Sequence, residues 1–253
     1  MKKVLLVVLA LLLAVSVFAG CAPKTNEIIM GMDDSFPPMG FVGDDGELTG
    51  FDVDMAKAVS EKLGVPIKFQ AIDWKAKEME LEAKKIDMIW NGYTITDERK
   101  EKVLMSAPYM ENKQVIVVKA DSPIKTLADL AGKKVAVQDG SSAQDAIASN
   151  DSLKNSIGEQ IDFKDNVTAL MDVTSGQVDA LAVDSVVADY YLAKKSGEFA
   201  VLSESLAPEQ YGIGFRKDDQ KLHDQVMGAL AEMKADGTSA QISNKWFGRD
   251  VTL

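Results

Sequence analysis

Apolar positions along the chain alternate between short strand-like runs and stretches with helical spacing. Residues 27–32 predict a strand. Residues 52–63 predict a helix with Met55, Ala56, Val59 and Leu63 on one face and Gly64 as its stop. A strand over 66–72, a helix over 75–84 and a strand over 86–90 follow, and 92–96 turn into a short helix. A strand over 114–119 begins a second series: strand 134–137, helix 142–148, strand 161–163, helix 167–175, strand 178–183 and a helix through Tyr191. Such alternation calls for mostly parallel sheet covered by helices. The glycines at 40, 43, 46 and 50 around Asp45-Gly46 predict a hairpin. The last stretch predicts a strand at 211–215 and a helix with Leu222, Val226, Leu230 and Met233 on one face, ending at Gly237. A final helix is expected to open with a capping box at Thr238–Gln241 and to pack back on the first part.

Two stretches match. Lys85-Ile86-Asp87-Met88-Ile89 and Gln177-Val178-Asp179-Ala180-Leu181 both follow a helix, and both run as strands into a polar switch five residues after the aspartate, at Gly92 and Asp184. Paired lobes with polar residues at corresponding strand ends are one reading; coincidence between two short joints is the other.

Composition narrows the function. The 253 residues carry 28 Lys plus Arg against 39 Asp plus Glu, a net charge of -11, which argues against a surface that tracks nucleic-acid phosphates. One cysteine makes no internal disulfide, and one histidine cannot supply the imidazoles of an HExxH zinc site. Met1-Lys2-Lys3, an apolar run over 4–18 and Ala19-Gly20 before Cys21 read as a secretory signal over 1–20. Phe18-Ala19-Gly20-Cys21 also resembles a bacterial lipobox, with Phe18 in place of the usual Leu. Cys21 is then the lipidated first residue and 21–26 a polar tether; an ordinary signal peptide with an incidental Cys21 is the alternative. No second apolar stretch is long enough to cross a membrane as a helix.

Catalytic and nucleotide motifs are largely missing. There is no Gly-x-x-x-x-Gly-Lys-Ser/Thr loop, and the glycine cluster lacks the strand-to-helix context of a dinucleotide site. His223, beside Asp224 on a helix, reads as solvent-facing rather than catalytic, and Asp52 and Asp54 read as first-turn acids that complement the helix dipole. No metal and no cofactor is expected.

The remaining polar motifs suit a zwitterion. Asn91-Gly92-Tyr93-Thr94-Ile95-Thr96-Asp97-Glu98-Arg99, with Asp33-Asp34-Ser35-Phe36-Pro37-Pro38, Gly50-Phe51-Asp52-Val53-Asp54 and Gln138-Asp139-Gly140-Ser141-Ser142, resembles the polar amino acid family of ABC-transporter substrate-binding proteins. The resemblance runs from about Glu27 to Gly248 and implies an α/β, two-lobed periplasmic-binding-protein-like fold. Each lobe is then a mostly parallel sheet flanked by helices, joined to the other by two hinge strands with the ligand in the cleft. Lobe 1 is expected to be 27–113 plus 207–253, and lobe 2 114–206.

The residues can play the parts the resemblance implies. Arg99 offers a bidentate fork to an α-carboxylate, and the Ser141 and Ser142 amides complete that anion site from the opposite lobe. Asp184, the Gly92 carbonyl and the Thr94 hydroxyl suit the three donors of an α-ammonium. Asp33, Phe36 and Trp74 match positions that line the side-chain pocket, with Asn91 beside them and Gln138 neutral where some relatives carry a cation. Asp34 adds a second carboxylate. The expected protein is a monomeric, extracytoplasmic, lipid-anchored receptor, periplasmic if the cell has an outer membrane. It is expected to deliver a polar L-amino acid, arginine or lysine before glutamine, to a membrane permease driven by a cytoplasmic ATPase, with no bond made or broken. A cyclohexadienyl dehydratase-like enzyme on the same scaffold is the alternative, since Asp33 offers an acid in the cleft. An extracellular sensor module is a third reading, disfavoured because no transmembrane helix or signalling domain precedes Leu253.

Overall fold

The computed structural model describes residues 27–253; the expected signal peptide, Cys21 and the tether lie outside the described residues. The first series comprises β1 (Ile28–Met32), β2 (Ser35–Phe36), β3 (Gly40–Val42), β4 (Leu48–Thr49), α1 (Phe51–Leu63) and β5 (Ile67–Ala71). A 3-10 turn at Trp74–Ala76, α2 (Lys77–Glu82), β6 (Met88–Thr94), α3 (Asp97–Lys102) and β7 (Leu104–Met105) complete it. β8 (Met110–Lys119) leads into the second, made of a 3-10 turn at Leu127–Leu130, β9 (Lys134–Gln138), α4 (Ser142–Ala148), α5 (Asp151–Ser156), β10 (Glu159–Phe163), α6 (Asn166–Ser175), β11 (Ala180–Asp184) and α7 (Ser185–Lys194). β12 (Phe199–Phe215) returns the chain to the first series, and α8 (Gln220–Ala235) and α9 (Thr238–Phe247) close it.

The main strands lie in the order β10-β9-β11-β8-β12-β6-β1-β5, with β7 beside β12. Pairing is parallel within β5-β1-β6 and within β10-β9-β11, and antiparallel wherever β8 or β12 takes part. The parallel halves are the two lobes, and β8 and β12 are the strands that join them. Gln114 to Val118 lies in register with β11, whereas Tyr211 onward lies in register with β6. Between these, Asn112 faces Glu209 and Lys113 faces Pro208, and among the described strands no third one pairs with them.

The matched motifs have a physical basis. Asp87 donates its N–H to the Ile29 carbonyl at 2.7 Å and accepts the Ile29 N–H on Oδ2 at 2.7 Å; Asp179 does the same with Lys134, at 2.9 and 2.8 Å. Each aspartate zips the entry of its strand to the neighbouring one, so the two matched stretches are equivalent joints rather than a coincidence.

Helix α1 forms as its stripe requires. Met55, Ala56 and Val59 are buried, Lys62 sits in the last turn, and Gly64 at φ 62° supplies the left-handed C-cap. Its neighbours are α8, which buries Leu222, Val226 and Met233, and α9. Burial of each such side chain is worth roughly 1.5–3 kcal/mol.

Several boundaries differ from expectation. The turn expected from Gly92 is instead the end of β6, which stays in the sheet to Thr94 because Tyr211 and Gly212 pair with Thr94 and Tyr93. The strand expected at 211–215 is the end of a strand of 17 residues, whose earlier part, rich in exposed Ser and Glu, is held by β8 rather than by apolar alternation. The helix expected at 75–84 divides into the 3-10 turn and α2. The capping box at Thr238 is absent: Gly237, at φ 84°, is the N-cap, and the Thr238 N–H and hydroxyl turn back to Asp236 Oδ1. The hairpin at 40–50 is present, with β3 and β4 paired and Gly43 and Gly46 in its turn. His223 is not solvent-facing; its ring packs edge-on against Phe215 at 5.4 Å and its Nδ1 lies 2.8 Å from Asp224.

Candidate functional site

The ends of β6, β9 and β11 meet where the lobes face each other, and they bring the expected residues together. Asp33, Phe36, Trp74, Asn91, Thr94, Arg99, Gln138, Ser141 and Asp184 are all buried, and Ser142 is half-buried.

At one end stands Arg99. Thr96 caps α3 by accepting the Arg99 N–H at 3.1 Å, which fixes the arginine in the first turn. Its guanidinium stacks 4.7 Å from the Tyr93 ring centroid, donates through Nη1 to the Thr94 carbonyl at 3.0 Å, and reaches across the lobes through Nη2 to the Gly140 carbonyl at 3.3 Å. Lys77, which sequence reasoning passed over as a helix residue, is also buried there and donates to the Trp74 and Gly140 carbonyls at 3.1 and 2.9 Å. Burial, with the neighbouring Arg99 charge, pushes its ammonium down to about 8. Two cations therefore crowd this end of the cleft. Opposite them Ser141 caps α4 by accepting the Gln144 N–H, and the Ser142 hydroxyl lies 3.0 Å from Thr94 Oγ1.

Gly140 makes this approach possible. It sits at φ 72°, and a Cβ placed on it would stand 2.9 Å from Lys75 Cα in the other lobe. Around it the lobes touch again through Lys75 Nζ and Asp139 Oδ2 at 2.7 Å.

At the other end is Asp184, whose Oδ1 accepts from Asn112 Nδ2 at 2.8 Å and from the Tyr211 hydroxyl at 2.6 Å. Burial and the nearby Glu209 charge raise its carboxyl well above the usual range. Gly92 takes φ 57°, with the Phe36 and Tyr211 rings lying where a side chain would go, and its N–H donates to Asp52 Oδ2 at 2.7 Å. Asp52 is thus more than a first-turn acid. Fully buried, it also accepts the Tyr109 hydroxyl at 2.9 Å, and burial pushes it up to about 7 against those two bonds.

The third group surrounds Asp33. Its backbone N–H donates to Asn91 Oδ1 at 3.1 Å, and its Oδ2 accepts Gln138 Nε2 from the opposite lobe at 2.6 Å. Gln138 Oε1 accepts from Asn166 Nδ2, which fixes which way the amide points. Burial raises Asp33 to about 6, the Gln138 and Ser35 bonds oppose this, and the Asp165 and Asp34 charges add to it. Asp33, Asp34, Asp73 and Asp165 line a cavity of about 260 Å³ with Trp74 and a single cation, Lys164.

Sequence reasoning missed Asn112, Gln114, Asn166, Glu209, Tyr211 and Lys77. Asn112 and Gln114 alternate with Glu111 and Lys113, a pattern that looks like an all-polar exposed strand, although Asn112 and Gln114 face inward. Among the described residues no cluster of His, Cys, Asp or Glu suits a metal ion.

Known proteins match this arrangement. Residues 28–249 fit the description of bacterial extracellular solute-binding proteins, family 3. The L-cystine-binding protein TcyJ of Escherichia coli (strain K12) is 35% identical over 234 residues, 90% of this chain and 85% of that protein. The ABC transporter arginine-binding protein 1 of the same strain is 32% identical over 252 residues, 98% of this chain and 99% of that one. Among solved structures, an ABC uptake transporter substrate binding protein from Streptococcus pneumoniae with bound histidine superposes with a TM-score of 0.87 at 41% identity, covering 90% of this chain and 94% of that one. The ancestral amino acid-binding protein AncCDT-1, a precursor of cyclohexadienyl dehydratase, gives 0.81 at 37% identity, covering 88% and 96%. With the profile spanning nearly all described residues and full-length relatives above 30% identity, the chain belongs to the bacterial extracellular solute-binding proteins, family 3.

Proposed function

We propose that this protein is the receptor of an ABC importer that captures a polar L-amino acid between its lobes and presents it to a membrane permease driven by a cytoplasmic ATPase. The observation that carries the reading is the burial of a cation and a carboxylate along one cleft: Arg99 reaches the Gly140 carbonyl of the opposite lobe where Thr94 lies 3.0 Å from the Ser142 hydroxyl, and Asp184 accepts the hydroxyl of Tyr211, whose ring packs on Gly92. Arg99 and the two serines take the α-carboxylate, and Asp184, the Gly92 carbonyl and the Thr94 hydroxyl take the α-ammonium. Asp33, Phe36, Trp74, Asn91 and Gln138 meet the side chain.

The cavity beside Asp33 favours a cationic side chain, since four aspartates and one lysine line it. Relatives named for arginine and histidine support this lean; the one named for cystine keeps a longer zwitterion in view. Residues 27–113 plus 207–253 form one lobe and 114–206 the other, and the ligand closes them to the extent that it binds the closed form better. Cys21 carries a lipid that holds the monomeric receptor to the outer face of the cell membrane.

A binding role is favoured over dehydratase chemistry because the dehydratase-related neighbour is itself described as amino acid-binding. Thermal-shift measurements on the mature domain against the common amino acids and L-cystine test the proposal. An arginine, lysine or histidine ligand at 100 times its dissociation constant adds about 2.7 kcal/mol of stability. No shift with any amino acid, or turnover of prephenate or arogenate, would overturn it.

A further inference from the structure

Asp184 has a second carboxylate beside it. Glu209 Oε1 accepts from Asn112 Nδ2 at 2.6 Å, and the same amide nitrogen donates to Asp184 Oδ1 at 2.8 Å. The orientation of that amide is fixed from its other side, because Asn112 Oδ1 accepts the Ser185 hydroxyl at 2.9 Å. Gln114 Nε2 supplies another donor to Glu209 at 2.9 Å, while Gln114 Oε1 is buried without a partner. All the donors around the two acids are neutral: Asn112 and Gln114 from β8 and the Tyr211 hydroxyl from β12. Tyr109 stands behind Tyr211, and Ser185 opens α7. Among the described residues, no Lys, Arg or His nitrogen lies within 4.0 Å of either carboxylate.

Buried carboxylates are ordinarily paired with a cation or neutralised by a proton. Here the protein supplies no cation, and the half-buried Glu209 carboxylate beside the buried Asp184 adds its charge to the cost of burial, so Asp184 holds a proton until a cation arrives from outside. We propose that Asp184 and Glu209 act as one dicarboxylate unit that takes the ligand's ammonium in exchange for a proton. This rests on the assignment of Asp184 to the ammonium. The exchange balances: the singly protonated pair carries one negative charge, the ligand enters as R–NH₃⁺, and the carboxylic proton leaves to buffer, so the doubly ionised pair faces the ammonium. Glu209 stands opposite Asn112 in the two-stranded link between the lobes, whereas Asp184 ends a strand of the second lobe. The proton is therefore held on the second lobe, beside the link that carries Glu209, and ligand capture removes it from there.

Calorimetry of the mature domain with L-arginine, L-lysine, L-glutamine and L-cystine at pH 7 tests this, because none of their side chains titrates near that pH except the second α-amino group of L-cystine, whose own proton change is subtracted. Each titration is run in phosphate and in Tris, whose ionisation enthalpies differ widely. The wild-type protein is expected to release between half a proton and one proton per ligand bound. Glu209→Gln should still bind and fold but release less than half as much, and its affinity should depend less on pH between 6 and 8. A merely structural Glu209 would alter affinity without altering the proton count. Binding with no proton release by the wild type, or equal release by Glu209→Gln, overturns the exchange and leaves the amino acid reading intact. Failure of all four ligands to bind overturns both.

Discussion

Gln138 donates to Asp33 across the cleft at 2.6 Å, with its amide held in that sense by Asn166. Asp33 therefore accepts one neutral donor on each oxygen, Gln138 from the other lobe on Oδ2 and the Ser35 N–H on Oδ1, and keeps its remaining lone pairs for the ligand's far end. Asp33→Asn is expected to cost arginine or lysine about 1.5–3 kcal/mol, the worth of a charge-assisted bond, and to cost glutamine less because a neutral amide can be re-paired. Calorimetry across the three ligands reads the difference. A uniform loss would assign Asp33 to the backbone of the ligand instead.

Arg99→Ala should weaken every amino acid ligand by about 3 kcal/mol or more, roughly 150-fold, since a desolvated carboxylate loses its charged partner. Arg99→Lys should recover only part of this, because a point charge cannot reproduce the planar fork. Circular dichroism and a melting curve show whether the fold survives loss of the bonds to Thr94 and Gly140. Full affinity in the alanine variant would remove Arg99 from the site.

Gly140→Ala tests whether lobe contact governs capture. The added methyl stands 2.9 Å from a backbone atom of the opposite lobe, and the residue must keep a left-handed φ of 72°. The expected result is a near-wild-type far-ultraviolet spectrum with weaker ligand binding, and loss of the compaction that small-angle scattering should record when wild type binds its ligand. Unchanged compaction would show that the lobes need not approach this closely.

The Asp52 carboxyl gives a pH prediction. Its pKa of about 7 in the folded protein lies above the ordinary 3.8, so from about pH 4 to 7 the native state holds a proton that the unfolded chain has lost. Stability therefore falls as pH rises through that window, by an amount on the order of 4 kcal/mol from this group. Asp52→Asn should reduce the dependence, leaving the parts that Asp33, up to about pH 6, and the raised Asp184 carboxyl contribute. Urea melts at half-unit pH intervals measure both slopes, and identical slopes would exclude Asp52.

Cys21→Ser should move the protein from the membrane to the soluble fraction without changing its ligand affinity. Retention on the membrane would argue against lipidation.

The lobes were legible in the sequence because their strands are buried by local apolar runs, and because Asp87 and Asp179 repeat one joint. The placement of Arg99, Asp184, Ser141 and Ser142 at strand ends and helix starts was legible from the polar residues there, while the roles given to them rest on the family resemblance. Glu209 and Asn112 were not. They lie on strands made of alternating polar residues, and what turns one face inward is the pairing of β8 with β12, a contact between positions 97 apart in sequence. Lys77 was hidden for a related reason: its burial depends on Gly140 arriving from the other lobe.

Asn112 and Lys113 pair only with Glu209 and Pro208, whereas to either side β8 is also paired with β11 and β12 with β6. A two-stranded ribbon twists far more readily than a wider sheet. The molecule thus concentrates its compliance in a torsional element a few residues long and leaves both halves stiff. A twist that keeps the ribbon's own ladder breaks no sheet hydrogen bond. The dwell time of a captured ligand is then set by the contacts across the cleft, and variants that tighten or loosen those contacts should change the release rate while leaving the capture rate nearly constant.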